Sequence, residues 1–97
     1  MKVYTVYILK CSDSSYYTGI TSNISKRLFE HQSGFHPDSY TSSRRPVQLM
    51  FTADFTDVGF AIDVEKQIKK WSRAKKEALI DGRFEDLPGL SRKIFKK

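Results

Sequence analysis

The sequence predicts an α+β domain in which a small antiparallel sheet carries helices packed against it, in the order β-β-α-β-α. Three observations predict this class. Two short runs rich in Val, Tyr, Thr and Ile lie on either side of the turn cluster Ser12-Asp13-Ser14-Ser15. A third such run follows Pro46, and proline is tolerated at a strand start. Between and after the strands, apolar residues recur at helical spacing.

Lys2 to Cys11 reads as the first strand and Tyr16 to Thr21 as the second, joined as a hairpin. Ser22 or Asn23 caps a helix from Ile24 to about Gln32, and Gly34 stops it. Phe35 to Arg45 has no period and reads as a loop. Pro46 opens the third strand, Val47 to about Ala53. Thr56 or Asp57 then caps a long helix with one buried stripe, Ala61, Val64, Ile68 and Trp71. The pattern continues through Ala78, Leu79 and Ile80 to Asp81-Gly82, with a break near Ser72. The domain is therefore expected over residues 1–82, followed by a basic C-terminal tail over 83–97.

Ninety-seven residues suit one domain with a modest core, and twelve Phe and Tyr residues argue against disorder. Cys11 is the only cysteine, which excludes an internal disulfide and favours a reducing, cytoplasmic setting. No apolar run approaches the roughly 20 residues of a membrane span, so no membrane partner is expected. The formal charge of +6 is unevenly placed: residues 66–97 hold eleven Lys and Arg against four acids, whereas residues 1–65 hold six against seven. Such a basic third suits a surface facing a polyanion, and it equally suits a solvated helix face with a charged tail.

The residues with chemistry to offer are Tyr7, Tyr17, Arg27, His31 and Glu65. Phenols and an imidazole handle protons, a guanidinium stabilises a crowded phosphate, and a carboxylate holds a metal. Tyr7 and Tyr17 share a sheet face only if the hairpin loop has an odd number of residues or a bulge. Otherwise they are two β-favouring aromatics in a core. On the first helix Arg27 and His31 flank the stripe of Ile24 and Leu28, where an anion partner or simple packing would account for them. On the second helix Glu65 is the one acid at the border of the buried face. It could ligate Mg²⁺ or Mn²⁺, or pair with Lys69 or Arg27. Zinc-ligand spacing, a phosphate-cradling glycine loop and an activated cysteine are all missing.

In order and spacing, Thr5-Val6-Tyr7, Tyr17-Thr18-Gly19, Arg27, His31 and Glu65 resemble the motifs of the GIY-YIG endonuclease superfamily, over about Val3 to Ile80. The resemblance implies a three-stranded antiparallel sheet flanked by helices, in agreement with the reading above. It also implies a metal-dependent endonuclease that hydrolyses phosphodiester bonds in DNA, in repair or recombination. Tyr7 would be the general base, and Tyr17 and His31 would orient water or phosphate. Arg27 would stabilise phosphoryl charge, and Glu65 would hold one Mg²⁺ or Mn²⁺. Activity would then rise from neutral to alkaline pH, as a phenol ionises near about 10.

Within the superfamily the chain is similar to a small single-domain bacterial branch, related to the catalytic subunit of nucleases that cut branched DNA. The segment from Tyr40-Thr41 to Arg45-Pro46 recurs there, as do Lys69-Lys70-Trp71 and Lys75-Lys76. Branched or damaged DNA is the expected substrate, chosen by its shape or by a protein partner. Arg44, Arg45, Lys69, Lys70, Lys75 and Lys76 are the expected nucleic-acid contacts. Two departures stand out: Thr5 replaces the first motif's glycine, and no Asn follows the second helix. The rival readings are a non-catalytic nucleic-acid-binding module, an RNA-acting nuclease and a small adaptor for an acidic protein.

Overall fold

The computed structural model describes residues 2–89 and 94–95. Strand β1 (Tyr4–Lys10) is central, with β2 (Tyr16–Thr21) on one side and β3 (Gln48–Phe55) on the other, both antiparallel to it. Helix α1 (Ile24–Ser33) follows β2, and α2 (Val58–Lys69) and α3 (Arg73–Ile80) follow β3. The three-stranded sheet and the α+β class are as the sequence predicts.

Because side chains alternate across a strand, β1 serves two cores. Val6 and Ile8 point to one face, where they meet Ala61, Val64 and Ile68 of α2 and Ala78 and Leu79 of α3. Tyr7 and Leu9 point to the other, with Cys11 and Val47, and with Ile24 and Leu28 of α1 packed against them. Residues 6–9 have no exposed surface at all. A central strand covered on both faces explains why Val6-Tyr7-Ile8-Leu9 shows no polar alternation.

Caps place the helices. Asn23 accepts a hydrogen bond from the Lys26 amide, and Asp57 does the same for the Phe60 amide. Gly34 ends α1 at φ 70°, the left-handed region, and a Cβ there would also lie 2.8 Å from the Arg45 guanidinium carbon. The long helical pattern after β3 divides into two helices at the expected break near Ser72. Ser72 leaves helical geometry and accepts from the Lys75 amide, so it caps α3. Trp71 therefore lies between the helices, half-buried against the core. Tyr16 on β2 fixes α3 by donating to Glu77 at 3.0 Å, while Arg73 covers the same ring.

Thr5, standing where the first motif would have glycine, donates to its β3 neighbour Asp54 at 2.7 Å. Packing does not end at Gly82. A 3₁₀ turn over Phe84–Asp86 brings Leu87 into the core at 3% exposure, and Ile94 and Phe95 pack against the same cluster. A boundary at 82 thus falls inside the packed unit. The sequence reads as a basic tail here, but Leu87 is buried and Ile94 and Phe95 are partly buried. The tail's remaining basic residues, 92, 93, 96 and 97, lie outside the described residues.

Leu87→Ala is accordingly expected to cost about 2–4 kcal/mol in urea unfolding. A loss below about 0.5 kcal/mol, the level of an ordinary surface change, would restore 83–97 to the status of a tail.

Candidate active site

Residues 11–15 leave a five-residue hairpin loop, an odd number, so Tyr7 and Tyr17 share a face. Tyr7 lies opposite Gly19, and Leu9 opposite Tyr17. The Tyr7 ring crosses directly over Gly19. A Cβ on residue 19 would sit 2.5 Å from the Tyr7 Cζ, closer than any real contact. The glycine of the second motif is therefore required by the tyrosine of the first.

This path carries the Tyr7 hydroxyl to His31, with Oη 3.0 Å from Nε2. The other ring nitrogen, Nδ1, lies 2.7 Å from the hydroxyl of Thr41. Tyr17 completes an aromatic cluster, with its ring centroid 6.3 Å from Tyr7 and 5.2 Å from His31. Tyr40 stacks on Tyr17 at 6.0 Å, tilted by 23°.

Burial dominates the electrostatics here. It pushes the Tyr7 phenol up to about 12, helped by neighbouring Tyr17; Arg27 pulls the other way and does not prevail. The Glu65 carboxylate is close enough to oppose ionisation of the same phenol. Burial, and then the charge of Arg27, hold His31 below its usual 6.5, so the imidazole is neutral at pH 7.

The two charged residues are engaged by neighbours. Arg27 pairs with Glu30 at 3.2 Å, and Glu65, only 7% exposed, pairs with Lys69 at 3.3 Å. Among the described residues no group of three or more His, Cys, Asp or Glu could hold a metal. A single buried carboxylate fits Mg²⁺ or Mn²⁺ kept largely by its own water and by phosphate, and does not fit a cation needing an all-protein cage.

The predicted nucleic-acid residues divide. Lys69 and Lys76 line a cleft of about 290 Å³ beside Tyr17 and Tyr40. Burial and the nearby Lys69 lower the Lys76 pKa. Arg44 and Arg45 instead hold the 35–46 loop. Arg44 pairs with Asp13 and covers the Tyr40 ring, and Arg45 donates to the Ser42 carbonyl. Lys70, just past α2, and Lys75, on α3, are exposed and enter none of these contacts. Cys11 is 4% exposed with its thiol pKa raised by burial, which makes it a packing residue.

Sequence reasoning missed Thr41. It is wholly buried beneath the aromatic cluster, and the one signal for it was its place in the recurring segment from Tyr40-Thr41 to Arg45-Pro46, which gave it no role.

A model of the GIY-YIG catalytic domain matches residues 3–78. This chain belongs to the GIY-YIG family. It is 52% identical over 75 residues to a UPF0213 protein of Syntrophus aciditrophicus, covering 77% of this chain and 86% of the relative. It is 42% identical over 80 residues to one of Staphylococcus saprophyticus, covering 82% and 96%. The fold is similar to the solution structure of a UPF0213 protein from Bacillus halodurans, with TM-score 0.54, 34% identity and coverage of 94% and 93%. A solved protein from E. faecalis gives TM-score 0.61 at 31% identity, covering 91% and 93%. The family match contains both motif tyrosines, Arg27, His31 and Glu65. No helix among the described residues is long and apolar enough to cross a membrane.

Gly19→Ala should displace the Tyr7 ring and cost about 1–3 kcal/mol by overpacking. Chemical denaturation checks this, and an unchanged midpoint would mean that the ring can move aside freely.

Proposed function

We propose that this GIY-YIG protein is a metal-dependent endonuclease that hydrolyses DNA, one strand at a time, at branched or damaged sites. The observation that carries the reading is the 3.0 Å contact between the Tyr7 hydroxyl and a neutral His31, at the edge of which stand Arg27 and Glu65. A binding module has no need of a phenol tied to an imidazole in a buried position. Tyr7 is favoured over Tyr17 as the base because it alone has this proton acceptor.

In the proposed reaction Tyr7 takes a proton from the attacking water as its own proton passes to His31 Nε2. Arg27 moves from Glu30 to the phosphoryl oxygens and stabilises the charge that develops there. Tyr17 bounds the site and orients the phosphate. Glu65 would hold one Mg²⁺ or Mn²⁺, which when bound supplies Lewis-acid stabilisation of the phosphoryl and leaving oxygens. Tyr7 is covered in the free protein, so substrate entry exchanges the Arg27–Glu30 and Lys69–Glu65 pairs for contacts to the reacting centre. Lys69 and Lys76 draw in the strand beside Tyr17, and Lys70 and Lys75 extend the basic surface. Target choice rests on DNA shape or on a protein partner, and the chemistry belongs to the cytoplasm.

Incubating the protein with flap, fork, Holliday-junction, linear duplex and RNA substrates, with and without Mn²⁺, tests the activity and its substrate class. Cleavage confined to RNA would move the assignment to the RNA-acting alternative. Glu65→Gln should reduce cleavage by on the order of 10³-fold with binding retained. Wild-type cutting by that variant in Mg²⁺ would remove Glu65 from the metal role.

The pH profile differs from the alkaline rise expected of a free phenol. Tyr7 near 12 does not ionise by itself, so its partner decides. Arg27, His36 and Glu30 face His31, the first two lowering its pKa and the last raising it. Protonated His31 cannot accept the Tyr7 proton. Cleavage should therefore fall as pH drops below about 6.5 towards the lowered His31 pKa, and stay level from neutral to mildly alkaline pH. A rate that climbs tenfold per unit through that upper range would show that Tyr7 ionises alone.

A further inference from the structure

His31 holds two hydroxyls apart, Tyr7 on Nε2 and Thr41 on Nδ1. A neutral imidazole has one N–H, so one nitrogen donates and the other accepts. Which is which decides whether His31 can take a proton from Tyr7. The Thr41 hydroxyl has one proton of its own, and Ser39 Oγ lies 3.3 Å from Thr41 Oγ1. If that proton goes to Ser39, Thr41 presents a lone pair to Nδ1, and Nδ1 must carry the hydrogen.

We propose that Thr41, supported by Ser39, is a positioning residue that fixes His31 in the Nδ1–H tautomer and leaves Nε2 free to accept the Tyr7 proton. The 2.7 Å contact is the shortest hydrogen bond of the site, and Thr41 has no exposed surface, so water does not compete for it. The opposite tautomer would make Nε2–H donate to Tyr7, and the phenol could then pass nothing on. Thr41 thus occupies the orienting place that a carboxylate fills in a Ser-His-Asp triad, without adding a charge.

The step balances within the reading of Tyr7 as base. Water loses a proton to the Tyr7 oxygen as it bonds to phosphorus, and the phenolic proton moves to Nε2. The P–O bond to the leaving group breaks, and the imidazolium later returns its proton to the leaving oxygen. Throughout, Nδ1–H remains bonded to Thr41. The 35–46 loop therefore contributes to the chemistry from beneath the site, through a residue that never meets substrate.

The tautomer can be read directly from the nitrogen chemical shifts of His31 in the unliganded protein at neutral pH, with no activity required. A protonated Nδ1 with a bare Nε2 is expected, and a protonated Nε2 would overturn the proposal. Thr41→Val keeps the shape and removes the hydroxyl. It should mix the tautomers and lower kcat by roughly tenfold to a hundredfold, the usual cost of losing an outer partner, with KM unchanged. Thr41→Ser should restore both. Ser39→Ala, away from His31, should shift the tautomers in the same direction as Thr41→Val even if the valine variant does not fold. Wild-type kcat with unmixed tautomers in Thr41→Val would reject the role. Absence of any nuclease activity in the wild type would remove the proposed function, while the shift measurement would still decide the tautomer.

Discussion

The passage of the Tyr7 ring over Gly19 is the constraint on which the site depends. It requires hydrogen in place of a side chain at residue 19, an odd hairpin loop, and a helix that brings His31 to the far end of the phenol. The loop supplies the odd count at 11–15, held by the Cys11 amide bonded to the Ser15 carbonyl and by the Ser12 amide bonded to that of Arg44. Helix α1 supplies the rest. Its last turn is clamped to the start of β3 by the Gln32 amide, which donates to the Val47 carbonyl and accepts from its N–H. These contacts fix where the two aromatic rings meet.

Magnitudes explain how a covered site can still be reached. The Arg27–Glu30 and Lys69–Glu65 pairs each involve a half-exposed cation, 41% and 53% exposed. The Arg27–Glu30 pair contributes about 0–1 kcal/mol, so exchanging it for a phosphate costs little; Glu65 is buried, and parting it from Lys69 costs more unless another cation takes that place. The buried groups behave differently. Tyr7 and His31 are both kept neutral by desolvation, and an ion on either is costly without a partner. Movable charge is thus at the rim and fixed hydrogen bonding at the centre.

Much of this was legible in the chain. The hairpin, the caps at Asn23 and Asp57, the glycine stop at Gly34 and the stripe of Ala61, Val64 and Ile68 follow from local chemistry, and the structure has each of them. The candidate residues were legible as types and spacing, and the structure brings Tyr7, Tyr17 and His31 together. The break at Ser72 was ambiguous because the apolar period runs through it, and only the cap geometry separates the two helices. Leu87 was hidden because it lies alone in a stretch that reads as a basic tail. Arg44 and Arg45 read as nucleic-acid contacts, and only tertiary contacts show them holding the loop. Thr41 was illegible for a different reason: its role comes from burial and a contact ten residues away, and neither leaves a trace in composition.

The two-sided burial of β1 separates what this fold needs from what the site needs. Val6 and Ile8 serve the core beneath α2 and α3, while the hydroxyl of Tyr7 contributes nothing to apolar packing. A phenylalanine at position 7 would keep the ring above Gly19 and every carbon contact, forfeiting one hydrogen bond worth about 1 kcal/mol. Under the proposed function, an inert paralogue would be separated from an active one by a single oxygen atom. Such a pseudoenzyme would look the same in backbone and family membership, and would melt only about 4–8 °C lower. On that reading, likeness of fold is a record of ancestry, and the atom at the end of residue 7 would distinguish a blade from a handle.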